Sequence, residues 1–166
     1  GLVGLVRNGS AVAHIAQAVG MKVVAYTSKR QEELPGYIKK AGMDEIFMQS
    51  DVVSLHCPLT EDTRYLVDEK RLRMMKKNAI LINTGRGPLI DEAAVANALN
   101  QGKLGAYAAD VLSVEPAQAD NPLLSAPRVQ LTPHIAWATK EARERLMQIC
   151  ALNIAHFIEG NPQNTV

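Results

Sequence analysis

An apolar run, Ala79 to Ile82, stops at Asn83 and gives way at once to Thr84-Gly85-Arg86-Gly87, with an acidic helix start at Asp91-Glu92 close behind. So abrupt a passage from strand to helix fits an open α/β sheet, where ligands bind at the carboxyl ends of the strands. Arg86 would stand at such an end, with little side-chain bulk beside it. A guanidinium there is a planar, permanently charged fork suited to a carboxylate. The plain alternative is a surface arginine in an ordinary strand-to-helix turn.

The same alternation runs along the chain. Residues 1 to 5 read as a buried strand. Ser10 to Val19 read as a helix with an apolar stripe of Val12, Ile15, Ala16 and Val19, stopped by Gly20. Strands are expected over residues 21–26, 52–56, 79–83, 104–110 and 129–131, and helices over 43–49, 68–76, 91–101 and 139–159. Residues 31 to 42 are ambiguous, because Pro35-Gly36 breaks any helix and leaves room only for a very short strand near Tyr37. Strands alternating with helices predict an α/β fold: a doubly wound parallel sheet of Rossmann type, in three layers, α/β/α. A chain of 166 residues is expected to be one domain with a proper core. Scarce aromatics beside abundant alanine and aliphatics suit a sheet covered by helices.

Charge excludes little but directs attention. The formal net charge of +1 points to no nucleic acid and no membrane surface as partner. Cys57 and Cys150 stand far apart, without metal-ligand spacing; no metal is expected, and a reducing, cytoplasmic setting is. The chain starts without methionine inside an apparent strand and stops just past Gly160 and Pro162. It reads as a piece of a longer protein.

The first strand-to-helix junction should hold phosphate. A dinucleotide fingerprint is Gly-x-Gly-x-x-Gly, opening a helix whose first amides face the pyrophosphate. Here it reads Gly4-Leu5-Val6-Arg7-Asn8-Gly9, with Val6 at the middle glycine and Arg7 adding a cation. A generic turn is the alternative. After the second strand, an NAD site carries an acidic residue for the ribose hydroxyls. This chain has Thr27-Ser28-Lys29-Arg30 instead, which matches a 2′-phosphate better and favours NADP(H) over NAD(H). A solvated basic turn is the alternative, with Glu32-Glu33 close by. His56-Cys57-Pro58 follows another strand and could wall the adenine side. Further strand ends carry Asp110 to Pro116 and Thr132 to Trp137, so Arg86, Glu115 and His134 are expected on one face.

These segments together resemble the cofactor-binding domain of the D-isomer-specific 2-hydroxyacid dehydrogenases, across essentially the whole chain. The resemblance rests on Ser50 to Thr60, Asn83-Thr84-Gly85-Arg86-Gly87, Asp110 to Pro116 and Pro133-His134-Ile135. Within that family, Ser113 to Pro116, Ala119 to Leu124 and His134 to Arg143 are most similar to the glycerate dehydrogenases, or hydroxypyruvate reductases.

The resemblance implies hydride transfer between nicotinamide and C2 of a small 2-oxo or 2-hydroxy acid, hydroxypyruvate/D-glycerate or glyoxylate. Arg86 would hold the substrate carboxylate and carbonyl oxygen. His134 would be the acid–base group, and Glu115 its anionic partner, favouring the imidazolium. Asp110 would lie near the nicotinamide. Gly4, Val6, Arg7, Asn8, Gly9, Thr27, Ser28, Lys29, Arg30, His56, Cys57, Pro58, Thr63, Thr84, Gly85, Arg86, Asp110, His134 and Ala136 would line the NAD(P) site. Formate dehydrogenases of the family carry glutamine where Glu115 stands, which disfavours that reaction.

Val6 and Asn8 depart from the family's phosphate loop, so an impaired cofactor domain is one alternative reading. A non-catalytic, corepressor-like dinucleotide module is another. Residues 1–166 would be the dinucleotide-binding domain, with the family's substrate-binding domain absent from this chain. The isolated fragment is expected to be inactive, and the full-length protein a homodimer.

Overall fold

Strands β1 (Leu2–Val3), β2 (Val23–Tyr26), β3 (Ile38–Lys40), β4 (Val52–Leu55), β5 (Ile80–Asn83), β6 (Ala106–Ala109) and β7 (Val129–Leu131) form one seven-stranded sheet ordered β3-β2-β1-β4-β5-β6-β7. Every pairing in this computed structural model, which describes residues 1–165, is parallel. The order reverses at β1, between β2 and β4, which is the switch point where an open α/β sheet binds ligands.

Helices α1 (Arg7–Ala18), α2 (Met43–Gln49), α3 (Glu69–Met74) and α4 (Glu92–Asn100) make the crossovers. Their starts are written in local chemistry. Asp68 accepts from the Arg71 amide at 2.8 Å and Asp91 from the Ala94 amide at 3.0 Å, each quenching a donor that its helix leaves unpaired. Gly102 follows α4 at φ +65°, the left-handed conformation that ends helices.

Side-chain alternation then sorts the core. On one face Leu2, Val23, Ala25 and Ile38 gather with Ala13 of α1. On the other, Val3, Val53, Leu55, Leu81 and Tyr107 pack with Ile46, Phe47, Leu72, Val95 and Leu99 from α2, α3 and α4. Burying a side chain such as Phe47 or Leu81 completely contributes about 1.5–3 kcal/mol. Helices therefore cover both faces, as the alternation predicts.

Half of the predicted α1 stripe, Val12 and Ala16, packs against the cluster of Leu2, Val23, Ala25 and Ile38. Gly9 and Ala13 are buried, whereas Ile15 and Val19 are exposed. At the start of the helix, a Cβ on Gly9 would lie 2.2 Å from the Gly4 carbonyl oxygen. Only glycine fits there.

The chain from His134 onward forms a second unit. It holds a turn, in which the Trp137 indole donates to the His134 carbonyl at 2.9 Å, and α5 (Lys140–Ile158). Thr139 caps α5 by accepting from the Ala142 amide at 3.2 Å, and Gly160 follows it at φ +74°. Among the described residues, no helix is long and apolar enough to cross a membrane.

Candidate cofactor and substrate site

Because all strands run one way, the segments after β1, β2, β4, β5, β6 and β7 leave the same edge of the sheet. After β1 the chain turns at Gly4, φ +96°, where a Cβ would lie 2.8 Å from the Cys57 amide nitrogen. Glycine is required there on both counts. Val6 is the residue preceding α1, and its side chain is 67% exposed, away from the core. The helix's first amides lack intrahelical partners and carry the positive end of its dipole, and no acidic residue sits in the first turn to quench it. Arg7 and Asn8 are exposed at that end.

After β2, Thr27 Oγ1 accepts from the Lys29 amide at 3.3 Å. Ser28, Lys29 and Arg30 are exposed. Arg30 donates to Glu33 Oε2 through both its amide (2.7 Å) and Nε (3.2 Å). Those two bonds, the backbone one foremost, hold the Glu33 carboxyl below its ordinary range. The ambiguous segment that follows resolves into a turn of 3-10 helix, Gln31–Glu33, and the short β3.

After β4, the half-buried His56 ring shares a hydrogen bond with Ser54 Oγ at 3.0 Å. Burial pushes His56 down and Cys57 up, so both remain neutral near pH 7. Pro58 opens a loop that Thr63 closes, its hydroxyl donating to the Pro58 carbonyl at 2.7 Å. Thr63 thus acts as the clasp of the loop that follows β4.

After β5, the buried Asn83 staples the turn. Its Nδ2 donates to the Arg86 carbonyl at 2.9 Å and its Oδ1 accepts from the Gly85 amide at 3.1 Å. Arg86 is exposed, with Nη1 donating to the Gly85 carbonyl at 2.8 Å. Gly87 is buried, and a Cβ on it would lie 2.0 Å from the carbonyl carbon of Leu112. The Arg86 turn is therefore pressed directly on the loop after β6. In that loop Glu115 Oε1 accepts from the Leu112 amide at 2.9 Å. Glu92, at the start of α4, holds the loop with both oxygens: Oε1 takes the Ser113 amide at 2.7 Å and Oε2 the Asn121 side chain at 2.9 Å. Asp110 is buried and accepts from the Thr132 hydroxyl, tying the ends of β6 and β7 together.

Within residues 1–133 the structure thus brings together the predicted Gly4 to Gly9, Thr27 to Arg30, His56 to Pro58, Thr84 to Arg86, Asp110 and Glu115 along one sheet edge. His134, φ +53°, and Ala136 open the second unit. Sequence reasoning takes Asn83 and Glu92 only as a strand end and an acidic helix start, and does not single out Lys40. Glu92 reads locally as a helix-start acid, since its partners lie 21 and 29 residues away. The Asn at the end of an apolar strand was a visible signal for the staple.

Residues 1–136 match the family D-isomer specific 2-hydroxyacid dehydrogenase, NAD binding domain. A hydroxypyruvate reductase from Blautia hydrogenotrophica is 45% identical over 167 residues, all of this chain and 52% of that protein. The structure of a D-lactate dehydrogenase with NAD+ from Lactobacillus jensenii superposes with a TM-score of 0.90 at 33% identity, covering 99% of this chain and 54% of that one. An acyclic imino acid reductase in complex with NADPH and D-Arg gives 0.86 at 36%, covering 99% and 53%. The chain spans about half the length of these relatives. It belongs to the D-isomer-specific 2-hydroxyacid dehydrogenase family, as that family's NAD-binding domain.

Proposed function

We propose that the full-length protein is an NAD(P)-dependent oxidoreductase that interconverts a small 2-oxo acid and its D-2-hydroxy acid, with hydroxypyruvate or glyoxylate as substrate. One observation supports the reading. Gly87 lets the turn bearing Arg86 lie directly on the Leu112–Ser113 backbone, so the Arg86 guanidinium and the loop of Glu115 share the carboxyl edge of the sheet. The hydroxypyruvate reductase likeness supports the substrate class.

The residues suit a dinucleotide. Gly4 and Gly9 bring β1 and the start of α1 together so that the helix's first amides face the sheet edge, where a pyrophosphate is favoured. A bound nicotinamide dinucleotide supplies the hydride. Arg86 offers a fork to the substrate's carboxylate and carbonyl oxygen, which fixes C2 in position. His134 donates a proton to the oxygen that gains charge during reduction and accepts it in oxidation. Glu115 is the acidic member of the set. Asp110, held by the Thr132 hydroxyl, would be a residue on the cofactor side.

Thr27, Ser28, Lys29 and Arg30 offer hydroxyls and cations where an NAD site offers a carboxylate, which supports NADP(H) as cofactor, with a preference of about tenfold at low salt for the site as a whole. The full-length protein is read as a cytoplasmic homodimer. A panel of small 2-oxo acids, run on it with NADH and NADPH side by side, tests the proposal. Turnover of hydroxypyruvate or glyoxylate is expected; its absence on the whole panel refutes the reading.

A further inference from the structure

Building on the NADP(H) reading, we propose that Lys40 is a specificity-determining cation, which completes a 2′-phosphate site whose other members are Thr27, Lys29 and Arg30. The turn after β2 cannot supply net positive charge by itself. Lys29 and Arg30 are offset by Glu32 and Glu33 within the same few residues, and Arg30 already lies on Glu33 through its amide and Nε. A neutral cluster gives a dianionic phosphate monoester little to gain over a bare ribose hydroxyl. The sign of the site depends on what the neighbouring strand brings.

That strand brings Lys40. β3 pairs parallel with β2, and Lys40 stands opposite Ala25, beside the point where β2 gives way to the turn. Lys40 Nζ donates to the Lys29 carbonyl at 2.6 Å, so its ammonium lies against the turn itself. Gln31 fastens the arrangement: its Oε1 accepts from the Lys40 amide at 2.7 Å and its Nε2 donates to the Ile38 carbonyl at 3.0 Å. An ammonium has three donors, and this bond uses one. Lys40 is half-buried, so its charge is screened less than those of the exposed Lys29 and Arg30. Thr27 Oγ1 accepts from the Lys29 amide and keeps its own proton to donate. Lys39, one residue earlier, belongs to the opposite face of the sheet by strand alternation, and serves as a charge-matched control.

The test is calorimetric binding to the full-length protein, with adenosine 2′,5′-bisphosphate and 5′-AMP as probes, at low and high salt. K40M should weaken the bisphosphate by about tenfold at low salt, less at high salt, and leave 5′-AMP within about twofold. K40R should retain most of the affinity, and K39M should behave as wild type. If wild type binds both probes equally, the NADP(H) reading fails and the Lys40 assignment falls with it. If wild type prefers the bisphosphate and K40M keeps that preference, or if K39M loses as much, only the Lys40 assignment is overturned.

Discussion

Gly87→Ala should damage the site through one methyl group. The Cβ of the new alanine would lie 2.0 Å from the Leu112 carbonyl carbon, 2.1 Å from its oxygen and 2.3 Å from the Ser113 nitrogen. Ordinary van der Waals contact starts at 3.4 Å, so the two loops must separate by about 1.4 Å, and the obstacle is backbone that no rotamer change can move aside. The φ of Gly87 lies outside the left-handed region, so the penalty is steric. Overpacking of this kind costs about 1–3 kcal/mol, and a displacement of about 1 Å in positioned groups costs about 10²-fold in rate. The full-length G87A protein should therefore lose about 10²-fold in kcat/KM for hydroxypyruvate. Its Tm should fall by about 2–4 °C per kcal/mol. Its affinity for 5′-AMP should stay unchanged, because that probe uses the β1 and β2 ends. Gly36→Ala is the control, since nothing lies within 4 Å of its Cβ. A G87A protein with wild-type Tm and kcat/KM within about twofold would show that the Arg86 turn and the Glu115 loop do not depend on this contact.

Three further outcomes are expected. Glu92→Ala removes the acceptor of both Ser113 and Asn121; stability should fall by about 1–3 kcal/mol in urea titration, with a lower kcat, and E92Q should recover part of both. Val6→Gly removes a branched side chain where backbone should meet pyrophosphate, so dinucleotide dissociation constants should fall, and unchanged or weaker binding would refute the placement of the loop. Burial lowers His56 below its ordinary value of 6.5, so the folded state takes up its proton less readily than the unfolded chain. Stability should therefore drop as pH falls below about 6.5, and more steeply in wild type than in His56→Gln over about pH 7.5 to 5.5. Parallel slopes for the two proteins would contradict this.

The alternation of strand and helix was legible because each element carries its own period and its own stop signs. Asp68, Asp91 and Thr139 cap the helices that they were expected to start, and Gly102 and Gly160 adopt positive φ where the helices end. The loops at the strand ends stood out through residue types that local physics makes unusual: arginine between two glycines after β5, and paired cations after β2, one of which the structure ties to Glu33. Other features are written at a distance. Glu92 reaches 21 and 29 residues along the chain, and Gly87 is needed because of Leu112, which no local period reveals. β3 is three residues long, too short to show alternation, so the neighbour relation between Lys40 and the β2 turn stayed hidden. The face of α1 was legible in part: Val12 and Ala16 pack against the core, while Ile15 and Val19 stay exposed. Gly9 is needed there because of the Gly4 carbonyl, a contact that hydrophobic periodicity does not carry.

Steady-state kinetics of the full-length protein on hydroxypyruvate, wild type beside His134→Ala, test the central claim most directly. The account predicts consumption of NADPH or NADH by the wild type, with turnover lowered by about 10²–10⁴ in the variant, the scale of a positioned general acid. Turnover that survives the loss of His134, or a wild type inert toward hydroxypyruvate and glyoxylate with either cofactor, would contradict it.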